Sequence, residues 1–148
     1  MKISDFLAAA DVVSDVAASD KQKLLSDLAQ KAGPAVGVSA DEILAELTKR
    51  EDFGSTGMGG GVAIPHARFA ELRKPFAMLV KLKKPIDFEA VDGEPVDVVV
   101  LLLLPDSTDG ERLGALACIA RKLRDPAVMA ALRRPSGSAE IYRRLTAD

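Results

Sequence analysis

Val98-Val99-Val100-Leu101-Leu102-Leu103-Leu104-Pro105 contains no polar residue before proline closes it. A strand with one wet face alternates apolar and polar residues. An unbroken valine and leucine run predicts a strand covered on both faces, the central strand of a sheet with helices above and below. Pro105 lacks the N–H needed to continue a ladder and stops the run. The stretch is far too short to cross a bilayer, which takes about 20 residues. Upstream, Phe76-Ala77-Met78-Leu79-Val80-Lys81-Leu82 reads as a second strand, and Asp92-Gly93 marks a turn between the two. Downstream, Leu113, Leu116, Ala117, Ala120 and Leu123 fall at helical spacing, with Arg121, Lys122 and Arg124 suited to that helix's C-terminal dipole. Asp125-Pro126 reads as an N-cap and a first-turn proline, and Ser138 as the cap of a last short helix through Ile141, Tyr142 and Leu145.

On the N-terminal side, Leu24, Leu25, Leu28, Ala29 and Ala32 form a helical stripe over Lys21–Ala32, with Ser19 or Asp20 as N-cap. Ser39-Ala40-Asp41-Glu42 is a capping box that opens a second helix through Ile43, Leu44 and Leu47 to about Arg50. Val62–Ile64 is a candidate short strand, limited by Pro65. Strands bracketed by helices at both ends predict one layered α/β domain over residues 1–148.

A chain of 148 residues with 48% hydrophobic residues and no tryptophan supports a core of Leu, Val, Ala and Ile. The net charge of −2 argues against a nucleic-acid binder, which carries a basic excess. Asp5 and Asp11 interrupt the apolar N-terminal stretch, so no secretory signal or membrane insertion is expected. A single cysteine, Cys118, excludes an internal disulfide and sits at the edge of an apolar helical face, where it is expected to be inert. The expected location is the cytoplasm.

Five glycines occur between Gly54 and Gly61, and the only histidine follows in Ile64-Pro65-His66-Ala67-Arg68. Glycine permits positive φ and close approach of the backbone to a ligand. Successive N–H groups can form an anion-binding nest. The alternative reading of the glycines is a hairpin tip or tight crossover. A phosphate-binding P-loop would need lysine after its last glycine, and a Rossmann fingerprint would need glycine at Val62 or Ile64. One His and one Cys, with no ligand-spaced cluster, predict no metal site and no cofactor. No serine or cysteine lies in a nucleophile motif. These exclusions leave His66 itself as the nucleophile, attacking a phosphoryl group in line. Arg50 is placed to neutralise phosphate oxygens, or is a solvated helix-end arginine. Ser55 and Thr56 offer hydroxyls to phosphate, or cap and stiffen the turn.

Gly54-Ser55-Thr56-Gly57-Met58-Gly59-Gly60-Gly61-Val62-Ala63-Ile64-Pro65-His66 resembles the active-site signature of enzyme IIA of the bacterial phosphotransferase system, fructose/mannitol class, nitrogen-regulatory branch. Lys83–Asp97 and Ala120–Pro126 resemble further segments of that family. The resemblance implies a single α/β domain with a mixed, about five-stranded sheet flanked by helices on both faces. It also implies a tele-phosphohistidine at His66, charged by an HPr-type histidine phosphocarrier protein, with Arg50 beside it. In the regulatory branch the phosphorylation state controls partners such as potassium-transport proteins or sensor kinases. In the transport branch phosphate passes to a IIB domain and then to sugar. The family's usual second histidine is replaced here by Arg112. Its guanidinium is expected to bind phosphate oxygens and slow onward transfer. Such a replacement also admits a binding module with impaired phosphotransfer.

Overall fold

The computed structural model describes the backbone of residues 1–106 and 110–147, and the side chains of 1–106 and 114–147. Its centre is the strand β6, Val96–Pro105, in which every residue except Asp97 is buried. Antiparallel to it lies β5, Phe76–Ile86, and outside that the parallel strand β1, Val12–Val16. The other edge of β6 carries two parallel strands in succession, β3 (Val62–Ala63) and β4 (His66–Phe69). An antiparallel strand, β2 (Gly57–Gly59), completes a six-stranded mixed sheet beside β3.

Among the described residues five α-helices cover this sheet: α1 (Lys21–Val36), α2 (Ala40–Phe53), α3 (Gly110–Arg124), α4 (Pro126–Arg133) and α5 (Ser138–Thr146). Alternation along β6 splits its side chains between two cores. Val99, Leu101 and Leu103 pack with Leu24, Leu28, Ile43 and Leu47 of α1 and α2. Val98, Val100, Leu102 and Leu104 pack with Ile119, Leu132, Ile141 and Leu145 of the C-terminal helices. Full burial of each such side chain contributes roughly 1.5–3 kcal/mol. The unbroken apolar run is therefore the consequence of two helical layers, as its pattern predicts.

The helix starts match their sequence signals. Asp20 accepts from Lys23 N at 2.8 Å, Ser39 from Glu42 N at 3.2 Å, and Asp125 from Ala127 N at 2.9 Å. The α5 cap differs, because Gly137 takes the N-cap position and Ser138 is already helical. Helix α1 runs past its predicted end to Val36 and closes on Gly37 in the left-handed conformation at φ 73°. The extra strands are the larger departure. β1 was not predicted, since it is five residues long with only Val12 fully buried. Asp15, at φ 55°, coincides with a shift of register against β5.

Of the two sequence readings of the glycine run, an anion nest or a hairpin tip, its C-terminal part takes the second and forms the β2–β3 hairpin. Gly59, Gly60 and Gly61 all hold positive φ at its tip. Gly61 has no room for a side chain: a Cβ there would strike the Arg133 guanidinium and lie 2.9 Å from Asp97 Oδ1. Arg133 pairs with Asp97 at 2.8 Å and donates to the Gly60 carbonyl at 2.6 Å, locking the tip to α4. Gly37, at φ 73°, has open space around it. Alanine at Gly37 should therefore cost only backbone strain, about 1 kcal/mol, whereas Gly61→Ala should cost roughly 2 kcal/mol by adding displacement of the part-exposed Arg133–Asp97 pair. Urea denaturation of the two variants checks this, and equal losses would contradict the packing argument.

Candidate functional site

His66 opens β4, immediately after the break at Ile64-Pro65. Val62 and Ala63 pair with Val98 and Val99, and His66 and Ala67 resume with Leu102 and Leu103 in the same register. The register therefore runs unchanged across the two intervening residues. Pro65 has no N–H to give, yet its carbonyl still accepts from Leu102 N at 2.9 Å. The Ile64 carbonyl is instead turned to the histidine, where Nδ1 lies 2.8 Å from it. A carbonyl oxygen only accepts, so Nδ1 must carry the proton, and Nε2 is the nitrogen with a free lone pair.

Ala67 and Phe69 belong to the core under α1 and α2, so strand alternation turns His66 and Arg68 to the other side of β4. They line a cavity of about 300 Å³ at the end of α2, with Lys49, Arg50, Phe53 and Asp106. Phe53 is 87% exposed at its rim. A second cavity of about 650 Å³ lies between the N-terminal segment and the 71–76 turn, remote from His66. Its lining contains no histidine. Among the described residues no group of three or more His, Cys, Asp or Glu side chains is assembled to hold a metal ion.

Arg50 comes from the last turn of α2, and its Nη1 donates to the Gly54 carbonyl at 2.9 Å. This bond fixes the guanidinium across the helix terminus beside the histidine. Burial holds the His66 pKa below its ordinary 6.5. The Ile64 carbonyl opposes that shift, the Arg50 charge adds to it, and Glu51 opposes it. The imidazole is therefore neutral and nucleophilic at pH 7.

The two hydroxyls of the glycine segment are committed elsewhere. Ser55 Oγ donates to the Phe88 carbonyl at 2.7 Å and accepts from Gly57 N at 3.0 Å. Thr56, only 8% exposed, donates its hydroxyl to the Glu51 carboxylate. Each hydroxyl has one proton, and neither has one left for a phosphate. The turn-stiffening alternative is the one this geometry supports. The glycine tip is not a cradle for phosphate either. It sits beside Asp97 and Val98, four residues along β6 from the partner of His66, about 13 Å away at strand spacing. Its Gly60 N–H is taken by Asp92 at 3.0 Å. The expectation for Arg112 falls on a side chain outside the described residues.

A sequence model described as phosphoenolpyruvate-dependent sugar phosphotransferase system, EIIA 2, matches residues 5–147. The chain belongs to this EIIA family. Among its relatives, the nitrogen regulatory protein of Bradyrhizobium diazoefficiens is 39% identical over 142 residues, spanning 96% of this chain and 93% of that protein. The crystal structure of nitrogen regulatory protein IIA-Ntr from Neisseria meningitidis matches with a TM-score of 0.92 at 30% identity, covering 97% of this chain and 99% of that one. The mannitol IIA of Escherichia coli, solved in complex with phosphorylated mannitol IIB, shares the fold. Its TM-score is 0.79 at 15% identity, over 95% of this chain and 97% of that one. The single-domain mixed α/β architecture of the EIIA family is thus present here, with one strand more than the sequence reading counted.

Because His66 is the only histidine of this EIIA chain, its ring protons give an isolated titration. The depressed folded-state pKa puts the midpoint below 6.5. By linkage, the neutral ring's contribution to stability is complete above pH 6.5. It is lost as pH falls from there through the folded-state value, where the unfolded chain binds the proton more tightly. An NMR midpoint at or above 6.5 would refute the burial argument.

Proposed function

We propose that this nitrogen-regulatory EIIA protein accepts a phosphoryl group on Nε2 of His66 from an HPr-type histidine phosphocarrier, and that its phosphorylation state governs the binding of regulated partners. The observation that carries this reading is the Nδ1–Ile64 carbonyl contact of 2.8 Å, which reserves Nε2 for the incoming phosphorus. In the transfer, the Nε2 lone pair forms the new P–N bond while the carrier's P–N bond breaks and its imidazole leaves with the electron pair. The His66 ring becomes cationic with Nδ1–H retained, and the Ile64 carbonyl stabilises that charge. Protons balance without solvent when the carrier's phosphorylated ring, protonated on its second nitrogen, leaves as neutral imidazole and His66 keeps its Nδ1–H. Arg50 serves the equatorial oxygens, whose charge is the main electrostatic load of phosphoryl transfer.

The cavity mouth carries three cations, Lys49, Arg50 and Arg68, against two carboxylates, Glu46 and Asp106. A phosphoryl group adds about two negative charges. The mouth therefore loses its net positive charge on phosphorylation, from a formal +1 to about 0 with the ring proton counted, and presents the phosphoryl dianion at its surface. A partner that docks there distinguishes the two states by electrostatics without a large rearrangement. The sugar-transport reading, in which phosphate passes to a IIB protein, predicts rapid discharge by such a partner.

Incubation with phosphoenolpyruvate, enzyme I and the carrier should give an acid-labile adduct on the wild type and none on His66→Ala. Arg50→Ala should slow acceptance by on the order of 100-fold, with Arg50→Lys intermediate. An undiminished adduct in His66→Ala, detected by intact mass, would reject the acceptor assignment.

A further inference from the structure

Glu51 neighbours Arg50 in sequence but turns inward, and it is only 9% exposed. Its carboxylate is fully engaged: Oε1 accepts from Thr56 N at 2.9 Å and pairs with Lys21 Nζ at 3.0 Å, and Oε2 accepts the Thr56 hydroxyl. Lys21, at the start of α1, also lies 4.6 Å above the Phe88 ring. The Phe88 carbonyl in turn receives the Ser55 hydroxyl. One buried acid thus ties α1, α2 and the segment leading into β2.

The consequence lies on the far side of Thr56. The Thr56 carbonyl accepts from Ile64 N at 3.1 Å, and the Ile64 carbonyl is the one that receives His66 Nδ1–H. Because Pro65 has no N–H, the Ile64–Pro65 peptide plane cannot be anchored by a donor to the sheet. It is held by Ile64 N–H on one side and the Pro65 carbonyl on the other. Thr56 is flanked by Ser55 and Gly57, with Gly54 just beyond, so its own orientation depends on its partners more than on local stiffness.

We infer that Glu51 is a positioning residue for phosphoryl transfer: through Thr56 and the Ile64 peptide it holds the proton of His66 on Nδ1 and keeps Nε2 free. The inference rests on His66 being the acceptor for its catalytic consequence, but not for its structural content. Lys21 makes the buried carboxylate tolerable, and Thr56 converts its fixed position into the direction of a backbone carbonyl. Loss of Glu51 leaves a buried N–H and a buried hydroxyl without their acceptor and Lys21 with only the exposed Glu89 carboxylate at 3.6 Å, and the 54–57 segment must reorient to satisfy the buried groups. Glutamine is nearly isosteric. Its oxygen can serve Thr56 N–H and Lys21, and its amide can donate to a turned Thr56 hydroxyl.

The test is the protonation state of the His66 ring by long-range ¹H–¹⁵N NMR on the full chain, above the ring's titration, alongside the rate of acceptance from the phosphocarrier. Wild type should show the proton on Nδ1. Glu51→Ala should shift the ring toward a mixture of tautomers and slow acceptance roughly 10- to 100-fold, with little change in KM for the carrier. Glu51→Gln should restore the Nδ1–H signature and most of the rate. An Nδ1–H signature unchanged in Glu51→Ala, or absent from wild type, overturns the inference. Should Glu51→Ala fail to fold, Thr56→Val removes one of the bonds and is read by the same criterion: a shifted tautomer supports the relay and an unchanged one overturns it. Failure of wild type to accept phosphate would reject the acceptor reading while leaving the tautomer result to decide the relay.

Discussion

The pairing of β6 with a strand that is interrupted and then resumes in register is the constraint on which the site depends. Val62–Ala63 and His66–Phe69 track the same edge of Val96–Pro105 with a constant offset. The double-sided burial of β6 holds that edge in place. Across the two intervening residues the register is kept, and Leu102 N still donates to the Pro65 carbonyl. The Ile64 carbonyl lies on the edge that faces away from β6 and becomes the acceptor that orients the histidine, while Pro65 keeps only its carbonyl in the β6 ladder. Fold and chemistry meet at one peptide bond.

Around that peptide the charges divide by depth. Arg50 and Glu51 are consecutive in the last turns of α2, yet one reaches the cavity beside His66 and the other points into the protein to meet Lys21 and Thr56. The helix terminus thereby supplies the site with a cation at its mouth and a buried acid beneath. Burial keeps the imidazole neutral against the pull of its carbonyl partner, and the nearby guanidinium works in the same direction. A neutral ring with a fixed tautomer is what in-line attack on phosphorus requires.

Much of the architecture was legible in the sequence because the strongest signals are local. The apolar run of β6 announces its own burial, and Asp20, Ser39 and Asp125 cap the helices they precede. The strands that escaped reading are those stabilised by their neighbours rather than by composition. β1 is short and half-exposed, β2 is built largely of glycine, and β4 lies beyond a proline. The glycine segment misled most, since its composition fits both an anion nest and a hairpin tip. What separates the two is tertiary: Asp92 and Arg133, distant in sequence, take up its backbone groups. His66 was legible as the single histidine and the proposed acceptor. Glu51 was not, because nothing in the sequence distinguishes an inward carboxylate from the solvated ones around it.

The identity of the modified nitrogen tests the whole account, since it depends on the register of this edge strand, the Ile64 carbonyl and the neutral ring together. ³¹P and ¹⁵N NMR of the protein after transfer from the carrier would assign it directly. The structure predicts phosphorus bonded to Nε2 of His66 with Nδ1 still facing the Ile64 carbonyl. Phosphorus on Nδ1 would contradict it.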